Sequence, residues 1–241
     1  MKFVLEFVAS LCTALFAGAS LYINLVEHPA RMECGTALAA AEFGPSYRRA
    51  TVMQASLAVI GLVAATWAWW LNSIGAWLVG GILIGAVVPF TLIAILPTNK
   101  KLLDPLLDRN SEGARRLLIK WGRLHAVRTV LSVLALVIFL AGMAAANVLH
   151  VKEAELREDL VTLRNVITQY TLDKQKAPQS LEDLVKAGYL KEIPKDPITG
   201  ENWTVDQEDS LMTVDQTEPG IVDVHSSSDE LSSDGTAYGS W

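Results

Sequence analysis

The chain has 241 residues, of which 51% are hydrophobic, with a mean hydropathy of +0.31 and a net charge of −6. These averages cover two unlike halves: residues 1–150 hold twelve Lys/Arg against seven Asp/Glu, net +5, and residues 151–241 hold eight against nineteen, net −11. That asymmetry argues against one globular core, and the acidic half argues against nucleic acid as a partner, since phosphates would be repelled.

Four apolar segments in the first half are long enough to span a bilayer: Phe3–Val26, Thr51–Leu71, Gly75–Leu96 and Ala126–Val148. The run from Phe3 is too long for a signal core and lacks a small-residue cleavage site, so it is expected to be retained. Asn72-Ser73 is a short link, predicting a tight hairpin of the second and third spans. Small residues (Ala14, Ala17 and Gly18; Gly80, Gly81 and Gly85; Gly142 and Ala145) would let helices approach closely in lipid. Pro89 should kink the third span. Trp67, Trp69 and Trp70 read as an interfacial belt. Cys12 falls in a span and Cys34 in a loop, so no disulfide is expected.

The connecting loops Glu27–Ala50 and Pro97–His125 carry the basic residues, among them Arg48, Arg49, Lys100, Lys101, Arg115 and Arg116. The positive-inside rule puts both loops in the cytoplasm and both chain ends outside. In a bacterium this is an inner-membrane protein with a periplasmic acidic domain.

From Trp121 to Gln175 there is no proline, and only Gly122 and Gly142 weaken a helix. Leu149, Leu156, Leu160, Leu163, Ile167 and Tyr170 recur at spacings of seven, four, three, four and three, one helical face. Such a helix would run roughly 75 Å, of which only about 30 Å can lie in a bilayer. It is expected to leave the membrane and become the spine of a domain at 151–241.

Pro178 stops that helix. Ser180 and Asp183 form a capping-box pattern for a short helix that Gly188 ends. A turn-rich run, Ile193 to Gly200, leads to strand candidates Trp203–Val205, Leu211–Val214 and Ile221–Val224. The expected fold is therefore an α-helical four-span membrane bundle followed by an α+β domain, a long spine helix on a small antiparallel sheet. The core of that domain would be Leu156, Leu160, Leu163, Ile167, Tyr170, Leu181, Leu184, Tyr189 and Trp203.

Glu27 and His28 end the first span, Asn99 ends the third, and His125 and Arg128, three apart on one helix face, begin the fourth. Ionisable groups at membrane depth are costly and are often functional. A carboxylate, an imidazole and a guanidinium at one end of a bundle could bind an anionic or phenolic ligand or move a proton. The alternative is structural: Arg128 snorkels, and Glu27 pairs with it to tie the bundle together. No metal-ligand spacing, phosphate-binding glycine loop or nucleophilic triad is present in the sequence.

The runs LFAGASLYINLVEHPAR, PSYRRATVMQASLA, PFTLIAILPTNKKL and WGRLHAVRTVLS, in that order, resemble the anthrone-oxygenase-like family of small four-helix membrane proteins. Many members are domains of unknown function, and some fungal relatives are linked to cofactor-free oxygenation of anthrones. The resemblance implies a polar set of Glu27, His28, Asn99, His125 and Arg128, with His125 as the base that deprotonates a small aromatic substrate and Arg128 stabilising the anion. The run LREDLVTLRNVITQYTLDKQKAPQSLEDLVKAGYLKEIPKDPITG is similar to the soluble domain of type II secretion major pseudopilins. That likeness implies secretion-system partners and calcium in the C-terminal loop, here through Asp223, Ser226, Asp229 and Asp234, whose oxygen ligands suit the ion. The chain lacks the basic leader and cleavage site of pseudopilins, so assembly into a filament is not expected. For the whole chain the expectation is a membrane-anchored protein displaying a pseudopilin-like domain; the alternative is a membrane enzyme acting on an anthrone-like aromatic.

Overall fold

A computed structural model describes residues 1–72, 74–208 and 219–241. The chain divides into two compact units, Met1–Ala144 and Ala145–Trp241.

The first unit is helical. It contains α1 (Lys2–Tyr22), α2 (His28–Glu33), α3 (Thr36–Asn72), α4 (Gly75–Phe90), α5 (Leu96–Leu102) and the first part of α6 (Glu112–Lys174). Two π-helical turns, Ile23–Glu27 and Thr91–Ile95, join α1 to α2 and α4 to α5. Each runs into a helix with a proline in its first turn, Pro29 and Pro97. A proline has no N–H to donate to the preceding turn, and the wider turn absorbs that missing donor without ending the helix. The stretches expected as loops, Glu27–Ala50 and Pro97–His125, are therefore mostly helical. Pro45 lies inside α3, and Pro89 lies inside α4.

Among the described residues, four helical stretches are long and apolar enough to cross a membrane: Lys2–Glu33, Thr36–Leu71, Gly75–Leu102 and Glu112–Lys174. The distribution of side chains supports that reading. Val127, Val130, Leu134 and Val137 are exposed along one face of α6, as are Phe3, Phe7, Leu11 and Leu15 on α1. Thr13, Ser20, Gln54, Thr129 and Ser132 are buried. Apolar side chains outside and small polar ones inside suit a lipid surround. Trp67 and Trp70 are exposed, as a belt requires. The glycines of α4 set how closely the helices pack. A Cβ on Gly80 would lie 2.3 Å from the Phe139 ring, one on Gly81 3.2 Å from Ala65, and one on Gly142 2.7 Å from Ala76. Gly18, expected at such a contact, has nothing within 4 Å. Cys12 is buried, Cys34 is exposed, and both are free thiols.

The second unit takes the remainder of α6, then α7 (Leu181–Lys186), β1 (Thr204–Glu208) and β2 (Gly220–His225). α6 has no interruption near Leu149 and ends at Lys174, after which Gln175 has a φ of 55°. Ser180 and Asp183 form the capping box, and Gly188, at φ 81°, follows α7. β1 and β2 are antiparallel, with a bulge at Asp206/Gln207. Two strands make up the sheet among the described residues, and the candidate strand Leu211–Val214 lies outside them. Leu156, Leu160, Leu163, Ile167, Tyr170, Leu184 and Trp203 form the core as expected, joined by Ile221, Val224 and Tyr238. Leu181 and Tyr189 pack against it half-buried.

Polar ties reinforce this core. Arg164 Nε donates to Asp223 Oδ1 at 2.6 Å, and its Nη2 to the backbone oxygens of Val224 and Trp241. Buried Glu153 accepts from Ser233 N and Oγ and from Tyr238 OH. Burial and the bond to Glu153 push the Tyr238 phenol up to about 12. Burial pushes Asp196 up, but hydrogen bonds from Ser226 and from backbone N–H groups outweigh it and hold the carboxyl below its ordinary value. Asp223, against Arg164, and Asp183, at the α7 N-terminus, are lowered in the same way. Ser232 and Thr236 lower Asp234 to about 2.

Two outcomes follow. Gly80→Val drives a side chain into Phe139 and should cost about 1–3 kcal/mol, seen as a lower melting temperature in detergent and partly recovered by adding Phe139→Leu. Carboxyls whose folded values are depressed stabilise the fold above their unfolded value, about 4, and lose that contribution as pH falls through the folded values. Hydrogen exchange on the full chain should show α7 and β2 amides losing protection between pH 5 and pH 2, at roughly the range those values set, with α4 amides unchanged.

Candidate functional site

One end of the first unit holds a cavity of about 160 Å³. Its walls come from every helix of that unit. Phe16 of α1, Ile23 and Glu27 of the first π turn and Arg31 of α2 form one side. Phe43, Tyr47, Gln54 and Ala58 come from one face of α3, and Val87, Thr91, Leu92 and Asn99 from α4, the second π turn and α5. Trp121, His125 and Arg128 of α6 complete it. These last three are four and three residues apart, so one face of α6 delivers all of them.

Asn24 fixes the orientation of His125. Asn24 Nδ2 donates to the Gly122 carbonyl at 3.2 Å, and its Oδ1 accepts from Thr129 Oγ1. The amide oxygen therefore faces His125 Nδ1, 2.8 Å away. An amide oxygen only accepts, so Nδ1 carries the proton, and in the neutral ring the lone pair is on Nε2. The His125 ring is buried and lies against Trp121, centroids 4.8 Å apart. Trp121 also meets Phe43 edge-on at 5.3 Å and has the Arg31 guanidinium 5.9 Å from its centroid.

The charges divide unevenly. Glu27 is ion-paired with Arg31, one turn on, and accepts from Ser46 Oγ at 3.0 Å. Arg31 also pairs with Glu42 at 3.0 Å. Arg128 donates through Nη2 to Gln54 Oε1 at 2.8 Å and lies over the Phe16 ring at 5.2 Å. Among the described residues no carboxylate forms an ion pair with Arg128. The expected structural tie of Glu27 to Arg128 is thus not made, because Arg31 occupies Glu27. Arg128 Nε, Gln54 Nε2 and Asn99 Oδ1 are buried without a hydrogen-bond partner. The cavity therefore offers a surplus cation, two idle donors, one idle acceptor, a phenol and an aromatic wall. Groups of this kind complement a small aromatic anion.

Of the five residues singled out in the sequence, Glu27, Asn99, His125 and Arg128 meet at this cavity. His28 does not line it. It packs behind Trp121 at 5.3 Å, where a Cβ on Gly122 would come within 2.5 Å of its ring. Sequence reasoning missed Arg31, Tyr47, Gln54 and Trp121 as lining residues. The Glu27–Arg31 spacing of four and the Trp121, His125, Arg128 series carried the signal.

The candidate calcium residues each have partners within the protein or face solvent. Asp223 pairs with Arg164, Ser226 Oγ donates to Asp196, Asp234 accepts from Ser232 and Thr236, and Asp229 is exposed. Among the described residues no three His, Cys, Asp or Glu side chains are grouped to hold a metal.

Asn24→Leu removes the acceptor that orients His125 and leaves buried donors unpaired, which should cost about 1–3 kcal/mol. Thermal unfolding in detergent measures it, with Asn24→Asp closer to the parent than Asn24→Leu.

A family model described as anthrone oxygenase matches residues 43–138, a stretch that holds α4, α5, most of α3 and the Trp121, His125 and Arg128 face of α6. No curated protein and no solved structure matches the chain. The likeness of residues 151–241 to pseudopilins therefore has no support beyond the residues that carry it. Among the described residues, the chain has four helices able to cross a membrane, and its stretch 43–138 is similar to the anthrone oxygenase family.

Proposed function

We propose that the first unit is a membrane-embedded oxygenase that acts, without a cofactor, on a small enolisable aromatic of the anthrone class. The observation that carries this reading is the pairing, within one cavity, of an imidazole whose Nδ1 is committed to Asn24 with a guanidinium that has no carboxylate. The family description at 43–138 supports it.

The chemistry divides into a proton transfer and an oxidation. His125 Nε2 takes the proton from the benzylic carbon opposite the anthrone carbonyl, and the electron pair passes to the carbonyl oxygen as an aromatic alkoxide. Arg128 and the Nε2 amide of Gln54 stabilise that oxygen, which carries charge only after deprotonation. Dioxygen is the oxidant. One electron passes from the anion to dioxygen, and the resulting carbon radical and superoxide recombine at the deprotonated carbon, forming a carbon–oxygen bond and a peroxide anion. The remaining hydrogen on that carbon leaves as a proton, the O–O bond breaks, and water departs. One anthrone and one dioxygen thus give one anthraquinone and one water. His125 returns its proton to the departing oxygen.

Arg48, Arg49, Lys100, Lys101, Arg115 and Arg116 are near this end in sequence, and the positive-inside bias assigns it to the cytoplasmic face. The secretion reading rests on the likeness of the second unit alone, and it requires indifference to His125.

Purified full-length protein, given anthrone, should consume oxygen above the spontaneous rate. His125→Ala should lower that rate by about 10²–10⁴ and Arg128→Met by about 10²–10³. Arg48→Gln, outside the cavity, should leave it unchanged. Equal rates in parent and His125→Ala would remove the proposal.

A further inference from the structure

Resting on this reading of the cavity, we infer that its substrate arrives sideways from the lipid phase, through a portal between α3 and α4, and is therefore a membrane-dissolved aromatic. The α3–α4 hairpin is closed along one part of its length. A Cβ on Gly81 would lie 3.2 Å from Ala65, and one on Gly85 3.0 Å from Leu62. Further along, the two helices face each other across the cavity. α4 there carries Pro89 and opens into the π turn Thr91–Ile95. Four of the side chains α3 presents to the cavity are small, Ala50, Thr51, Ala55 and Ala58.

Thr51, Ala55 and Leu92 line the cavity and are also exposed on the outside of the bundle. A residue that meets both spaces marks an opening between them. The outer surface around it includes Val52, Val59, Ile60 and Ile93, all exposed. Such a surface is solvated by acyl chains, so the opening meets lipid. A second, shallower groove, lined by Glu27, Glu42, Arg49 and Met53 among others, borders the same cavity on its charged side. That groove suits a water-borne solute. The portal suits a ring system that partitions into the bilayer and acquires its charge only after reaching His125.

The test uses full-length protein in phosphatidylcholine vesicles and a small aryl trifluoromethyl diazirine dissolved in the bilayer, with carbene adducts mapped by mass spectrometry. In the parent, adducts should form on Trp121 inside the cavity and on lipid-facing Val130 and Leu134. Ala55→Trp should abolish the Trp121 adducts and leave the other two, which also report that the variant has folded. Thr51→Trp is the second plug should the first not insert. Arg49→Trp, at the charged groove, should change nothing. Trp121 adducts that persist in both plugged variants, that are missing in the parent, or that vanish in Arg49→Trp would overturn the portal. Anthrone oxidation in the same vesicles separates this idea from the reaction beneath it. Plug-sensitive adducts without any oxidation would sink the reaction and support the portal. Oxidation and adducts both indifferent to the plugs would sink the portal and leave the reaction standing.

Discussion

The arrangement of the bundle turns on a guanidinium held among apolar helices. A charge at membrane depth has to be paired, solvated or made useful. Arg31 takes the first course, between Glu27 and Glu42. Arg128 has a neutral amide, Gln54, and an aromatic face, Phe16. Gln54 accepts with its oxygen and leaves its own Nε2 idle. The cost of that incomplete pairing is met by the rest of the bundle, and under the proposed function it falls when an anion enters. This is the preorganisation that electrostatic catalysis needs: donors fixed in place before the charge they will stabilise has formed.

Getting these groups into one place requires helices that pass prolines. Glu27 and Arg31 face the cavity only because the chain continues helically from the first π turn through Pro29. Asn99 reaches it because the same device recurs before Pro97. An ordinary α-helix advances 100° per residue, and the extra residue in a π turn shifts everything after it around the axis. The two turns therefore do more than accommodate a missing donor. They re-aim a carboxylate and an amide toward the imidazole of α6.

Much of this was readable in the residues. Glu27, Asn99, His125 and Arg128 stand out because each interrupts or borders an apolar run, where a polar group is expensive. The spine of the second unit was equally plain, since its leucines keep one face without a break. What the sequence concealed were helices in disguise. The charges between Glu27 and Ala50 suggest a loop, yet α3 runs through Pro45, since in lipid a proline's lost bond is tolerated where neighbouring helices compensate. A span that starts at Thr51 leaves Tyr47 in a loop, and Gln54 is a single polar residue within an apolar run. The Glu27–Arg31 pair is hidden for the same reason, which leaves Arg128 as the apparent partner of Glu27. His28 shows the opposite limit. Its neighbours in sequence are functional candidates, but the close approach allowed by Gly122 draws it behind Trp121, and no spacing rule foretells that.

The acidic second unit illustrates how a small core enlists charge. Fewer than a hundred residues bury a modest apolar area, so the loops after β2 need further ties. Glu153, Asp196 and Arg164 supply them by multiple bonds: Glu153 to Ser233 and Tyr238, Asp196 to Ser226, Ser227 and Ile198, Arg164 to Asp223 and two backbone oxygens. Each buried or half-buried charge is met by two or three donors or acceptors, the condition under which burying it does not destabilise. The same accounting explains why a Ser- and Asp-rich tail, which on composition resembles an ion loop, has its carboxylates turned to separate tasks. Asp223 answers Arg164, and Asp234 holds the turn from Ser232 to Thr236. A cation placed between them would have to outbid a guanidinium on one side and a hydrogen-bonded turn on the other.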